Sequence, residues 1–129
     1  MKSEAARNMH DTNLKTKRAA VAALLLSVVL NAAGQTFFKA ARMSHPDASL
    51  FSLFMYGDTW AGFILYGLSA VCWLWVLSRA QLSFAYPLLS LSFPIVVALS
   101  AVYFTEIISP MRWIGVGVIV IGVSLLART

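Results

Sequence analysis

Charge is what this 129-residue sequence has least of. Asp, Glu, Lys and Arg together make 12% of the chain, about half the roughly 25% of an ordinary soluble domain. Beside it stand 60% hydrophobic residues and a mean hydropathy of +0.78. So little charge cannot keep a small globule in solution, which excludes an ordinary cytosolic enzyme, and so much apolar content excludes a disordered chain. Cysteine is nearly absent too. Cys72 stands alone, so no intrachain disulfide forms and a multi-cysteine metal site is excluded. No His-Asp-Ser set, metal-spaced histidine pair or phosphate loop is present, and His10 and His45 lie in polar flanks. No catalysis, cofactor or metal is expected. An integral membrane protein remains.

The charge that is present is placed unevenly. Of ten basic residues, Lys2, Arg7, Lys15, Lys17 and Arg18 precede residue 19, opposed there only by Glu4 and Asp11. No aromatic interleaving or zinc spacing accompanies this tail, and an apolar run follows at once. A cytoplasmic flank therefore explains it better than nucleic-acid binding. Four stretches then read as spans at about 19–38, 60–78, 84–105 and 110–127. At about 1.5 Å per residue, roughly 18 to 22 residues reach about 27 to 33 Å, enough for a bilayer core. Ser109-Pro110 starts the last one as an N-cap followed by proline at the first helical position.

The first run is longer than a signal-peptide core, and Phe37-Phe38-Lys39 follows a poor cleavage site, so it is expected to be retained. Short links at 79–83 and 106–109 force antiparallel neighbours. With four spans the termini share a side. The tail, Arg79 and Arg128 give that side seven basic residues, against Lys39, Arg42 and Arg112 on the other. The positive-inside rule then puts both termini in the cytoplasm. The sequence leaves open whether residues 50–56 lie at the outer interface or extend the second span.

Polar residues inside the spans are the candidates for function. Ser27, Asn31, Gln35 and Lys39 recur every four residues, so they share one helix face. Amides in hydrocarbon need partners, and the stripe faces protein or a wet cavity. It serves either as interhelical glue or as a polar pathway; as a set it favours the pathway. Gly34 beside it permits close helix approach. The third span holds Pro87 and Pro94 with Tyr86, Ser90 and Ser92 close by. A mid-span proline removes a backbone hydrogen bond and kinks the helix, so this span reads as a cavity-lining helix rather than a merely bent one. Trp73 is an interfacial anchor or an aromatic wall for a ligand, and Glu106 is a solvated loop carboxylate or a functional one. Gly115 and Gly122 lie seven apart on the last helix, the spacing of a close helix–helix seam.

No Asp or Glu lies within any span. A proton-coupled carrier of cationic drugs normally needs a membrane carboxylate to bind proton and cation in turn, and here that group is missing.

The motif Asn31-Ala-Ala-Gly-Gln-Thr-Phe-Phe-Lys39, with Gly115 and Gly122-Val123, resembles the drug/metabolite transporter superfamily. The branch concerned is the four-helix, EamA-like one related to the small multidrug resistance proteins. Asn31 stands where the drug exporters of that branch carry a glutamate. Nearer still is the resemblance to the small subunits of the undecaprenyl phosphate-aminoarabinose flippase. It rests on Gly34, Gln35 and Lys39, on Ala85-Tyr86-Pro87 with Leu89-Ser90-Leu91, and on Glu106, Ser109-Pro110 and Trp113.

The resemblance covers roughly half the chain, mostly from Leu77 onward, and leaves out the basic tail. It implies a subunit of a bacterial inner-membrane flippase for a polyprenyl-phosphate-linked aminosugar or similar anionic lipid, of the kind used in lipopolysaccharide modification. The expected assembly is a homodimer or a heterodimer with a related four-helix subunit, since one such unit offers little room for a head group. On this reading Lys39 and Arg112 pair with the phosphate, Asn31, Gln35, Tyr86 and Ser90 hold the sugar, and the bends at Pro87 and Pro94 open the groove. Export of cationic drugs and a non-transporting assembly subunit are the alternatives.

Overall fold

A computed structural model gives the backbone of residues 2–128 and the side chains of residues 15–128. The tail residues Lys2, Glu4, Arg7, His10 and Asp11 thus lie outside the described side chains. The described chain folds into six helices and no strand: α1 (Lys2–Ser44), α2 (Leu50–Leu53), α3 (Gly57–Leu77), α4 (Leu82–Leu89), α5 (Ser92–Tyr103) and α6 (Pro110–Leu126).

Three stretches are long and apolar enough to cross a membrane: Lys15–Ser44, Gly57–Leu77 and Leu82–Tyr103, the last formed by α4 and α5 together. The fourth, α6, has 17 residues and reaches only about 26 Å, at the short limit for a span. Pro110 sits in its first turn behind Ser109, where its missing N–H would have had no helical partner anyway.

The first helix continues past the end of the apolar run. Lys39 and Arg42 are its last full turns rather than a loop, because charge ends a membrane-soluble stretch without ending a helix. Arg42 then donates through Nη1 to the Ala48 carbonyl at 2.7 Å and ties down the link that follows. Residues 50–56 do not extend the next span: Leu50–Leu53 form a short helix of their own and residues 54–56 turn. Ser49 accepts from the Ser52 amide at 3.2 Å and caps the four-residue helix α2, and α3 begins separately at Gly57. Phe51 and Met55 of this segment are 88% and 85% exposed, an apolar surface that suits a lipid boundary.

The interior is narrow and made of small side chains. Along α1 the buried positions are Ala20, Leu24, Ser27, Val28, Ala32 and Ala41, a stripe at helical spacing that faces α3. The two helices run in opposite directions, since Ser27 meets Ser69 and Gly34 meets Gly62. A Cβ on Gly34 would lie 3.1 Å from the Gly62 carbonyl oxygen and 3.2 Å from the Tyr66 amide nitrogen, so the backbones approach closer than any larger residue allows. The main apolar cluster, Leu24, Val28, Val76, Ala85, Leu88 and Val123, joins α1, α3, α4 and α6. Most large apolar side chains, among them Leu25, Leu26, Ile64, Leu68, Leu74, Ile114 and Ile121, point outward. A lipid solvent removes the hydrophobic drive between helices, leaving close packing of small residues and buried hydrogen bonds to hold the bundle.

The stretch 82–103 is broken rather than bent at its prolines. Pro87 lies inside α4, and Pro94 sits in the first turn of α5. The interruption falls between them, at Ser90 and Leu91, whose amides reach only three residues back, to the carbonyls of Pro87 and Leu88, at 3.1 Å each. Pro94 explains the position: its ring collides with the carbonyl four residues earlier, that of Ser90, and supplies no amide to it.

Candidate functional site

The polar stripe of α1 divides into three parts with different partners. Ser27 is fully buried, and the Ser69 hydroxyl donates to its carbonyl at 2.9 Å while the two hydroxyls lie 3.3 Å apart. This part is interhelical glue. One turn on, Gln35 donates through Nε2 to Oδ1 of Asn31 at 2.7 Å. Asn31 is half-buried and Gln35 exposed. The pair satisfies one donor and one acceptor and leaves the remaining amide valences facing out of the bundle. At the far end Lys39 makes an ion pair with Glu106, and its ammonium lies 4.7 Å from the centre of the Phe104 ring.

That ion pair depends on the link after α5. Thr105 adopts a positive φ of 50°, a left-handed conformation uncommon outside glycine. It ends the helical path at Phe104 and turns the chain so that Glu106 meets α1. Both partners are about one-third exposed, 35% for Lys39 and 39% for Glu106, so water screens the pair while the aromatic face adds a second contact. Arg112, in the first turn of α6, is exposed and has no carboxylate partner among the described residues.

The break in 82–103 places the remaining candidates. The Ser90 hydroxyl donates to the Pro87 carbonyl at 2.5 Å, taking up part of the backbone capacity freed there. Tyr86 is 63% exposed, and its ring meets that of half-buried Trp73 edge-on at 6.1 Å. Tyr86, Ser90 and Trp73 therefore group around α3 and α4, whereas Gln35, Lys39 and Glu106 group around α1 and the α5–α6 link. The glycines of α6 differ from those of α1 and α3. Gly115 and Gly122 are exposed, and a Cβ on either meets nothing within 4 Å. The close approach at Gly34 is made within this chain, and the seam at Gly115 and Gly122 has no partner in it.

Two features escape a reading of the sequence. The pairing of Lys39 with Glu106 joins residues far apart in the chain, and nothing local to either announces it. The second is a cavity of about 810 Å³ at the end of the bundle where α1 enters, α3 passes to α4 and α6 ends. Lys17, Arg79, Gln81 and Ser83 line its polar side. Its available signal was the cluster of cations without acids around residues 15–18 and 79.

Apolar helices of spanning length, a small-residue seam between α1 and α3 and a polar stripe along one face of α1 define a multi-pass helical membrane protein. Comparison with known proteins narrows the class. The chain is 36% identical over 108 residues to a probable 4-amino-4-deoxy-L-arabinose-phosphoundecaprenol flippase subunit ArnE of Pseudomonas fluorescens, covering 81% of this chain and 94% of that one. It is 38% identical over 112 residues to a probable subunit ArnF of the same flippase from Erwinia tasmaniensis, covering 78% and 87%. An ArnE relative from Aeromonas hydrophila is 34% identical over 105 residues, covering 80% and 92%. No family model and no solved structure matches. The chain belongs to the family of small flippase subunits that includes ArnE and ArnF.

Proposed function

We propose that this chain is one subunit of a bacterial inner-membrane flippase that moves a polyprenyl-phosphate-linked aminosugar, or an anionic lipid like it, between leaflets. One observation carries the reading: the polar centre of α1 is an amide pair, Gln35 on Asn31, in a chain of this family. Amides hydrogen-bond a neutral or zwitterionic head group without exchanging a proton, and the described spans hold no carboxylate at mid-depth to drive export of a cation, Asp58 lying in the first turn of α3. The aminosugar named in the relatives offers hydroxyl, ammonium and phosphate groups that such a surface accommodates.

The working arrangement is four antiparallel spans with both termini in the cytoplasm. Among the described residues, Lys15, Lys17, Arg18, Arg79 and Arg128 stand at the end of the bundle that carries the termini, where no described carboxylate opposes them. The opposite end balances Lys39, Arg42 and Arg112 against Asp47, Asp58 and Glu106. This asymmetry supports the orientation. The lipid chain stays in the bilayer while the head travels along the Asn31–Gln35 face, with Tyr86 and Ser90 on the neighbouring wall and the break beside Pro87 and Pro94 giving that wall its freedom to move. Lys39 and Arg112 receive the phosphate on the periplasmic side, Lys39 by exchanging Glu106 for it. Gly115 and Gly122 on the open face of α6 seat a second four-helix subunit, identical or related.

The test is reconstitution of the chain, alone and with an ArnE- or ArnF-type partner, in liposomes holding the aminoarabinose-linked lipid. Gln35→Ala should reduce transbilayer movement to the protein-free rate while expression and helix content stay unchanged. Full activity in that variant removes the α1 route, and loss of expression makes the amide pair a packing element.

A further inference from the structure

The cavity at the terminal end of the bundle has no part in the route just described. It is open on one side, and Leu24 and Val76 form its floor, both belonging to the main apolar cluster. Its polar wall is cationic. Lys17 comes from α1 and Arg79 from the α3–α4 link, and no described carboxylate pairs with either. Arg79 is held in place: its guanidinium lies 4.0 Å from the centre of the Trp75 ring, and Nη1 donates to the Ser78 hydroxyl at 3.3 Å. That leaves the other donors of its fork uncommitted.

A third element points into the same space. Gln81 and Ser83 line the cavity and flank the start of α4. Gln81 occupies the N-cap position without a side-chain cap hydrogen bond, so the first amides of α4 keep their donors and the positive end of the helix dipole. A cation from α1, a cation from the α3–α4 link, an uncapped helix start and a serine hydroxyl therefore converge on one pocket with an apolar floor.

We propose that this cavity binds a phosphate-bearing group: its polar wall takes the phosphate oxygens, and its apolar floor takes the start of a hydrocarbon chain. The inference deepens the flippase reading, on which it rests for the identity of the carrier lipid. It makes the terminal end the loading site, where the lipid phosphate is captured before the head reaches Asn31 and Gln35. The driving chemistry is phosphate against guanidinium, ammonium and backbone amide, the strong class of charge-assisted hydrogen bonds.

The test is binding of undecaprenyl phosphate to the full chain in phosphatidylcholine nanodiscs, followed by native mass spectrometry and by tryptophan emission. Lys17→Gln together with Arg79→Gln should weaken binding at least about tenfold, because two charge-assisted contacts are lost. Lys17→Arg with Arg79→Lys, which keeps the charge, should retain most of it. Arg42→Gln, at the other end, where the side chain ties the following link to the Ala48 carbonyl, should leave it unchanged. Trp75→Phe should abolish the emission change while binding persists.

Added inorganic phosphate separates two sources of the same chemistry. Displacement of the lipid means that the site recognises phosphate itself, and no displacement means that it recognises phosphate joined to a chain; either supports the site. Unchanged affinity in the Lys17→Gln/Arg79→Gln variant, or an equal loss in Arg42→Gln, overturns it. Failures of the two proposals are distinguishable, since binding is measured without translocation. Wild-type binding that depends on Lys17 and Arg79 in a chain that flips no lipid refutes the transport reading alone.

Discussion

The two ends of this bundle treat their charges in opposite ways. At one end acids balance the cations in number: Lys39 pairs with Glu106, Arg42 is tied to the Ala48 carbonyl, and Asp47 and Asp58 stand near the α1–α3 connection while Arg112 is left without a described carboxylate partner. The other end carries Lys15, Lys17, Arg18, Arg79 and Arg128 with no described carboxylate among them, and Lys17 and Arg79 line a cavity there. The balanced end uses charge to hold its own loops. The unbalanced end holds charge that no described carboxylate compensates beside an open space, where an anion from outside the chain can complete it. A membrane protein that only needed interfacial anchoring would not require a cavity there, since snorkelling cations serve that purpose on a smooth surface.

Reversing the unbalanced end is the strongest way to break this contrast. Lys17→Glu with Arg79→Glu replaces attraction by repulsion, and binding of a phosphate lipid should fall by about a hundredfold or more in a nanodisc titration. The same assay on Arg42→Glu, at the opposite end, should show a far smaller change.

Packing gives the next largest effect. Gly34→Leu would drive a side chain into the Gly62 carbonyl and the Tyr66 amide, backbone atoms that cannot give way. Unfolding titrations should report about 1 to 3 kcal/mol of lost stability. By contrast Gly115→Leu, on a face with nothing within 4 Å, should leave the single chain as stable as before and lower recovery of a co-expressed partner subunit.

The balanced end should yield smaller numbers. Lys39→Glu or Glu106→Lys alone should cost about 0.5 to 1 kcal/mol, because the pair is partly exposed and screened. The double exchange should restore most of it in a double-mutant cycle. The smallest effect is expected at Thr105, whose positive φ suits glycine better. Thr105→Gly should change stability by less than about 0.5 kcal/mol, relief of strain offsetting the added freedom of the unfolded chain.

Much of this architecture could be read from the sequence, and the limits have physical causes. Apolar runs mark where lipid is, so the stretches around residues 19–38, 60–78 and 84–105 overlap the apolar helical stretches Lys15–Ser44, Gly57–Leu77 and Leu82–Tyr103. They do not mark where helices end, and α1 therefore runs on through Lys39 and Arg42 to Ser44. Proline signals a weakened helix without saying which turn fails. At Pro94 the damage falls four residues upstream, on the carbonyl of Ser90. The start of α6 was legible because Ser109-Pro110 is a local cap. The stripe of Ser27, Asn31, Gln35 and Lys39 was legible as a face, but its division into glue, amide pair and ion pair depended on Ser69 and Glu106. Those partners come from distant helices that no periodicity connects. The cations of the cavity were visible as an orientation signal, and only the folded bundle brings Lys17 to Arg79 and the start of α4.

The central claim is that this chain moves an anionic, sugar-bearing lipid without a titrating membrane carboxylate, and one measurement bears on it most directly. Liposomes containing 4-amino-4-deoxy-L-arabinose-phosphoundecaprenol are reconstituted with the chain and an ArnE- or ArnF-type partner, and the fraction of head groups reaching the opposite leaflet is followed over time. The account predicts movement well above that of protein-free liposomes, lost in Gln35→Ala. Movement indistinguishable from protein-free liposomes, with proton-dependent efflux of a quaternary ammonium compound by the same preparation, would contradict it.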